Sequence, residues 1–325
     1  MSGAELARHC EVSFGRHETF HPRYGWLRKA YVAADADREA FNRPEATVNL
    51  GVGKNMVHSI RYWGWAFKLL EDAPGGGRSP GQVPTDFADR LFNDDGWDPY
   101  LEDPGSLWLL HWRLLARPCR VPAWWTAFHA LAIHKCDDAT LVQLVMDLIE
   151  GAPGWPTVAR SSIKKDIDCL LRTYSVRTAV RDGLDDLLDC PFRELGLLEP
   201  VEGHLRTHRF VSGPKYTLPP LIAASTVCEY LATEAVGTTV EVAVLANEPG
   251  GPGQAFRLPT LALGDVLSAA AVVEPRLRVT SVAGSLQLIV DADPVVLSEE
   301  LIEQHYRDPA CSMAITAPPE FSVAR

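Results

Sequence analysis

Apolar residues recur at helical spacing along most of the chain and alternate at strand spacing near its carboxyl end. In residues 54–70, the apolar positions 56, 57, 60, 63, 67 and 70 lie on one face of a helix. Residues 238–245 and 276–290 are rich in β-branched side chains, and Ala283-Gly284 predicts a hairpin turn within the second run. A further helix is predicted over residues 294–307. The pattern predicts a mainly helical α+β protein.

Changes in this pattern divide the chain into three predicted parts. Residues 1–72 end at a loop rich in proline and glycine, and residues 82–232 follow as a helical part rich in Trp and Leu. Residues 233–325 form a small α/β part. Aromatic side chains at helical spacing predict the core of the middle part, namely Trp108, Trp112, Trp124, Trp125 and Phe128.

A helix-turn-helix is predicted in the first part. Asn42 suits an N-cap and Pro44 an early helical position, which favours a short helix over residues 43–50. Gly51 and Gly53 then allow a tight turn before the helix over 54–70. The second helix of such a motif enters the major groove of DNA with its first turns at the bases. The side chains expected to face the groove are Lys54, Asn55, His58 and Arg61.

The basic side of this second helix has another interpretation. Lys54, His58, Arg61, Trp65 and Lys68 fall opposite the apolar face. Amphipathic helices of soluble proteins in general expose a charged side to water. An ordinary solvated helix therefore stays open as an alternative to a DNA-reading one.

A second unit of the same kind is predicted in the middle part. One helix covers 141–149, and Ser161 is the expected cap of another helix with apolar positions 163, 167, 170, 171 and 174. The outward side of that helix carries Lys164, Lys165, Asp168 and Arg172. Residues 205–213 alternate and turn at a glycine, as in the wing of a winged helix, which places Arg206 and Arg209 beside the phosphates. A helical connector followed by a surface hairpin is the alternative.

The distribution of charge keeps a nucleic-acid partner in view despite a net charge of -11. Residues 1–70 hold 10 Lys and Arg against 7 Asp and Glu, whereas residues 71–110 hold 2 against 9. Residues 231–325 hold 5 against 12. The acidic excess is thus confined to two segments, and a mildly basic amino-terminal part remains.

Other features of the composition indicate the compartment. The seven cysteines are scattered without a C-x-x-C pair, which fits a reducing cytoplasm. The first residues lack an apolar run, and nowhere is there an apolar stretch of about 18 residues. We therefore expect a cytoplasmic protein without a membrane partner.

Candidate chemistry lies near the amino terminus. Residues 17–21 match the H-E-x-x-H pattern of zinc proteases. Pro22 disfavours a helix at His21, however, and no third ligand suggests itself, which makes a zinc protease the weakest alternative.

The same stretch supplies groups for cleavage of a phosphodiester. That reaction needs a carboxylate for Mg²⁺, a general base and cations. The candidates are Arg16, His17, Glu18 and Arg23, with Glu18 as the metal ligand. The acidic residues 86–103 are a second source of carboxylates, or simply a solvated loop.

Longer sequence blocks carry a resemblance to a known family. They cover residues 14–20, 23–27, 50–57, 59–63, 98–103, 106–112, 168–174 and 189–191. These blocks resemble the SspB-like family, the DNA-nicking component of bacterial DNA phosphorothioation systems for phage defence. The resemblance spans most of the chain and is faintest toward its carboxyl end. The family pattern has no fixed histidine at His21.

The resemblance implies a protein that nicks double-stranded DNA before sulfur is placed on one strand. The implied partners are a cysteine desulfurase, an ATPase and an ATP-pyrophosphatase-like protein. Together with the residues above, it leads us to expect a Mg²⁺-dependent endonuclease with winged-helix-like DNA-binding units, and a homodimer is one assembly that we consider. The alternative is a non-catalytic DNA-binding adaptor that recruits the modification partners.

Overall fold

The chain folds as two compact units in a computed structural model that describes residues 1–75, 80–130, 135–175, 190–235 and 237–308, apart from the side chain of Leu205. The units are Met1–Val211 and Ser212–Arg325. About 52% of the structure is helical, and its sheets are small and antiparallel. The fold class is therefore mainly helical α+β, as predicted. The sequence predicts boundaries at residues 72–82 and 232–233. In the structure, the boundary between the two compact units falls between Val211 and Ser212.

The first unit begins with helices that surround an aromatic core. In chain order they are α1 (Gly3–His9), α2 (Trp26–Ala36), α3 (Ala46–Leu50), α4 (Lys54–Ala66), α5 (Asp86–Phe92), α6 (Pro104–Leu115) and α7 (Pro122–His129). A two-stranded antiparallel sheet, β1 (Leu70–Asp72) and β2 (Gln82–Pro84), separates α4 from α5. The five aromatic residues predicted as core are all nearly or fully buried, which confirms that prediction.

The short helix α3 and the longer α4 are joined by a glycine turn, as the sequence predicts. Gly51 has a φ of 64°, a left-handed conformation that a residue with a side chain seldom adopts. Helix α3 begins at Ala46 rather than at residue 43, because Asn42, Arg43 and Pro44 form turns. Helix α4 ends at Ala66 rather than at 70, since the chain turns at Lys68, whose φ is 58°.

The remainder of the first unit has the topology of a winged helix. After α7 come β3 (Lys135–Asp137), α8 (Asp138–Glu150), α9 (Arg160–Tyr174), the 3-10 helix Pro191–Leu195, β4 (Leu198–Val201) and β5 (His204–Phe210). The strands are ordered β3-β5-β4 and are all antiparallel. The hairpin β4–β5 turns at residues 202–203, so the predicted wing over 205–213 contains only its second strand, and the expected turn at Gly213 is not the hairpin turn. Strand β5 also pairs with β3, which precedes α8.

Helix α9 buries the predicted face. Ile163, Ile167 and Leu170 are almost completely buried. The predicted cap at Ser161 is wrong: the helix begins at Arg160, and the N-cap is Ala159, which offers no side-chain hydrogen bond. Ala159 is extended, and the helix starts two residues earlier than a cap at Ser161 would place it.

The second unit has a similar order of elements, with three α-helices between its first strand and its hairpin and a further helix after the hairpin. It contains α10 (Pro220–Thr233), β6 (Thr239–Glu241), α11 (Val242–Asn247), α12 (Pro252–Phe256), α13 (Thr260–Val273), β7 (Leu277–Val282), β8 (Ser285–Val290) and α14 (Pro294–Arg307). Its strands are ordered β6-β8-β7, again antiparallel, and Ala283-Gly284 forms the predicted hairpin turn. The small α/β part expected from the sequence is thus a second winged-helix arrangement. Helix α10 belongs to it because its buried face packs against α13 and α14.

Close packing of α11 against α12 requires a glycine at position 253. A Cβ atom there would lie 2.4 Å from Ala246 Cα and 2.9 Å from the carbonyl oxygen of Leu245. These are backbone atoms that cannot rotate away. We expect Gly253→Ala to lower the free energy of unfolding by about 1–3 kcal/mol, the usual cost of overpacking.

Chemical denaturation monitored by circular dichroism measures this loss. Gly237→Ala is the matched control, because no described atom lies within 4 Å of the added Cβ. Equal stability of the two variants would contradict the packing argument.

Candidate nucleic-acid interface and buried histidine pair

Residues 14–20 form turns that lie against helix α9. His17 is 1% exposed, and its Nε2 lies 2.8 Å from Oδ1 of Asp166. The backbone N–H of Gly15 donates to the same oxygen at 2.8 Å. Arg172, two turns further along α9, donates to the carbonyl oxygen of Thr19. These contacts fix residues 14–20 to helix α9 of the first winged-helix unit.

The buried pair lies among aromatic rings. The ring of His17 stacks on Trp63 at a centroid distance of 6.0 Å and meets Trp124 edge-on. Burial raises the pKa of Asp166, and the hydrogen bonds from His17 and Gly15 oppose that shift. A buried carboxylate needs such donors because it has lost its water.

This geometry gives His17 a structural role rather than a catalytic one. A general base must reach the proton that it removes, either directly or through one water molecule. His17 is enclosed, and its Nε2 is already bonded to Asp166. The structure therefore does not bring His17 to a surface where DNA could bind.

The zinc-protease geometry is absent from the same segment. Glu18 and Thr19 have φ values of 51° and 66°, so residues 17–21 do not form the helix that would place two histidines one turn apart. Among the described residues, no group of three or more His, Cys, Asp or Glu side chains is arranged to hold a metal ion.

The neighbouring charged residues divide into exposed and packed ones. Arg16 and Glu18 are exposed. Arg23 is half-buried, and its guanidinium lies over the ring of Trp26. His21 is buried, and its pKa is lowered to about 3, mainly by burial and further by nearby arginines. His21 is therefore neutral at pH 7.

The amino-terminal half of α4 presents free polar side chains. Lys54, Asn55 and His58 are exposed. Within the described part of the chain, none of the three makes a hydrogen bond or an ion pair. The N-cap residue is Gly53, which has no side chain to satisfy the first backbone N–H groups of the helix. This end of α4 can therefore donate to an anionic ligand without breaking contacts inside the protein.

The carboxyl-terminal half of the predicted basic stripe is used by the protein itself. Arg61 is half-buried and donates to Asn42 Oδ1 at 3.2 Å and to the Pro80 carbonyl oxygen at 2.7 Å. Burial lowers its pKa. Lys68 donates to the carbonyl oxygen of Ala116 at 2.6 Å. The stripe is thus free at its beginning and engaged at its end, which sequence spacing alone cannot distinguish.

The second predicted DNA-binding surface, on α9 and the β4–β5 hairpin, also contains both unpaired and paired cations. Lys165 and Arg206 are exposed, and neither has a hydrogen bond or ion pair within the described residues. Lys164 instead pairs with Asp168 at 3.0 Å, and Arg209 on the wing pairs with Glu199. The segment 14–20 covers α9 near Asp166 and Arg172. Only part of the outward side of α9 is therefore available.

The acidic residues 86–103 are largely structural. Asp98 is 7% exposed and accepts hydrogen bonds from two backbone N–H groups and from Ser106. Asp103 caps α6, and Asp94 pairs with Arg28. Asp98 and Asp103 thus hold a turn and a helix start, and among the described residues these carboxylates form no metal-binding cluster with Glu18.

Asp166 is the residue that sequence reasoning missed. It lies three residues after Ile163 and four before Leu170, which places it on the buried face of α9. A carboxylate on an inward helical face needs a buried donor. That signal was available in the sequence, although it could not identify His17 as the donor.

Removal of the Asp166 carboxylate leaves two donors without this partner, the buried Nε2 of His17 and the partly buried Gly15 N–H. Each unsatisfied group costs about 1–3 kcal/mol. We expect Asp166→Ala to lower the free energy of unfolding by roughly 2–4 kcal/mol, measured by denaturant titration. Asp168→Ala, in the same helix, removes only a surface ion pair and is expected to cost less than about 1 kcal/mol. Similar losses in both variants would argue against the anchoring role of Asp166.

No described helix is long and apolar enough to cross a membrane.

Comparison with known proteins assigns the chain to a family. The model of the family described as "Protein of unknown function (DUF4007)" matches residues 14–306. No curated protein matches the chain. Two solved structures are similar to it, a crystal structure of SspB and one of SspB with bound magnesium ion. Each is 37% identical, has a TM-score of 0.86, and aligns over 98% of this chain and 93% of the other. The chain therefore belongs to the DUF4007 family and is an SspB-like protein.

Proposed function

We propose that this protein binds double-stranded DNA and nicks one strand, with Mg²⁺, as a component of a DNA phosphorothioation and phage-defence system. The observation that carries the DNA-binding part is the set Lys54, Asn55 and His58. These side chains lie on the first turns of α4, they are exposed, and they have no competing partner within the described residues. Exposed cations and helix N-termini are the groups that bind phosphate.

The second surface supplies further phosphate contacts in this proposal. Lys165 on α9 and Arg206 on the wing belong to one winged-helix unit. Lys164 and Arg209 contribute less, because each must leave an acidic partner before it can bind a phosphate. Arg61 contributes through the fold, since it holds Asn42 and Pro80 in place.

The catalytic part of the proposal rests on Glu18 and Arg16. Mg²⁺ is commonly held by one or two carboxylates together with water and substrate phosphate. The single exposed carboxylate of Glu18 fits that sparse ligation, whereas it would not fit a cage made only of protein ligands. When bound, the ion would offset charge on the scissile phosphate. Arg16 adds a second cation beside it, and His17 positions both residues through its bond to Asp166.

A non-catalytic DNA-binding adaptor is the second candidate. The burial of His17 favours it, because the nearest histidine to Glu18 in the sequence cannot serve as a base from its present position. Both candidates act in the cytoplasm with double-stranded DNA, a cysteine desulfurase, an ATPase and an ATP-pyrophosphatase-like protein, and both are compatible with a homodimer.

The DNA-binding surface predicts a separation between Lys54 and Arg61. Lys54→Ala should weaken binding to duplex DNA and reduce the slope of log affinity against log salt by about one, because one phosphate contact is lost. Its thermal unfolding should match the wild type, since Lys54 has no partner to lose. Arg61→Ala should lower the unfolding temperature as well. Mobility shifts at several salt concentrations and circular dichroism measure these effects.

Arg307→Ala controls for net charge, because it removes an exposed cation of the second unit. If Lys54→Ala and Arg307→Ala have the same affinity and the same salt slope, α4 is not the DNA-binding helix.

The two candidates differ in the fate of a supercoiled plasmid. A nickase should convert it to the open-circular form with Mg²⁺ and not with EDTA, and Glu18→Ala should abolish conversion while it preserves DNA binding. Glu241→Ala is the control, because Glu241 is also exposed and caps no helix with its side chain. A wild-type protein that binds DNA without nicking it would favour the adaptor, and nicking by Glu18→Ala at the wild-type rate would make Glu18 dispensable.

A further inference from the structure

A cavity of about 680 Å³ opens beside the amino-terminal end of α4. It lies between that helix and the preceding segment 39–47, which includes the start of α3. Pockets for small ligands commonly measure about 300–1,000 Å³. The cavity is therefore large enough for one nucleotide, and it adjoins the side chains to which we assign DNA binding.

The floor of the cavity is apolar. It is formed by Phe41, Ala46 and Val57, which are between 4% and 8% exposed. Flat aromatic and aliphatic surfaces bind the face of a nucleobase, and they do so without discriminating strongly between bases. The floor therefore suits a base rather than a phosphate or a metal ion.

The rim of the cavity carries two side-chain hydrogen-bond donors of α4. Lys54 and His58 lie one turn apart on α4 and both line it. Neither has a hydrogen bond or ion pair within the described residues, so both can turn toward a phosphate. Two other charged side chains line the cavity: Arg43 pairs with Asp37 at 2.9 Å, and Glu39 accepts a hydrogen bond from Asn42. Lys54 is thus a cation of the lining that has no ion-pair partner among the described residues.

We propose that this cavity receives one nucleotide displaced from the DNA duplex, with its base on the apolar floor and its phosphate at Lys54 and His58. The arrangement places apolar side chains that suit a base beside Lys54 and His58, which can donate to its phosphate. This inference rests on the proposed DNA binding at α4 and extends it, because it adds a site for an unpaired base to a surface for the backbone.

A displaced base must first be unstacked and unpaired, which is costly in a regular duplex and less so where the base is already unpaired. The wild-type protein should therefore bind a duplex with one central unpaired thymine about tenfold more tightly than the same duplex fully paired. Mobility shifts with the two duplexes measure the ratio.

Two adjacent positions of α3 provide a matched pair of variants. Thr47 lines the cavity, whereas Val48 is 79% exposed and does not. Thr47→Phe should place its ring in the part of the cavity where the base would lie and abolish the tenfold preference, while binding to the paired duplex and its salt dependence stay unchanged. Val48→Phe should keep the preference.

A second measurement does not depend on any variant. Permanganate oxidises unpaired thymines that are accessible to solvent, and a thymine held against the floor of the cavity should lose this reactivity when wild-type protein binds. Equal affinity of the wild type for the two duplexes, an unchanged preference in Thr47→Phe, or a bound thymine that stays fully reactive overturns the cavity proposal and leaves DNA binding in place. Failure to bind either duplex overturns both proposals.

Discussion

The hydrogen bond between His17 and Asp166 is the contact on which the candidate site depends. It joins residues 14–20, which have no regular secondary structure, to the third helix of the first winged-helix unit. Asp166 also accepts the Gly15 N–H, so one buried carboxylate oxygen holds the segment at two points. Because these donors satisfy a charge that burial would otherwise disfavour, the segment cannot move away without leaving Asp166 unpaired. Glu18 and Arg16 are exposed as a result of this anchoring.

Intramolecular contacts decide which cations remain available for a ligand. The predicted basic stripe runs along α4 and the residues that follow it. Arg61 and Lys68 in this stripe donate hydrogen bonds to oxygen atoms of the protein. Lys54 and His58 make no such bond within the described residues. An exposed, unpaired cation gives up only water when it meets a phosphate, whereas an engaged one must also break a hydrogen bond. A count of Lys and Arg on a helix therefore overestimates its affinity for DNA.

Hydrophobic spacing was sufficient to predict the fold class, the faces of α4 and α9, the aromatic core and the carboxyl-terminal hairpin, because burial enforces these patterns locally. It could not predict that His17 and Asp166 meet, since 149 residues separate them and only the folded chain brings them together. The same limit explains His17 itself. A histidine beside a glutamate and two arginines has the composition of an active site, and only its burial shows that it has a structural position.

The two winged-helix units share an order of elements but differ at the helix that would enter a groove. Helix α9 carries Lys164, Lys165 and Arg172, whereas α13 contains no Lys, Arg or His. Its exposed side instead presents Leu261 and Val272, which are 73% and 79% exposed, together with Asp265. Phosphate binding requires cations or free backbone donors, so the same topology does not confer the same function. The proposed DNA binding therefore rests on the side chains that α4 and the first winged-helix unit expose, and not on the winged-helix arrangement as such.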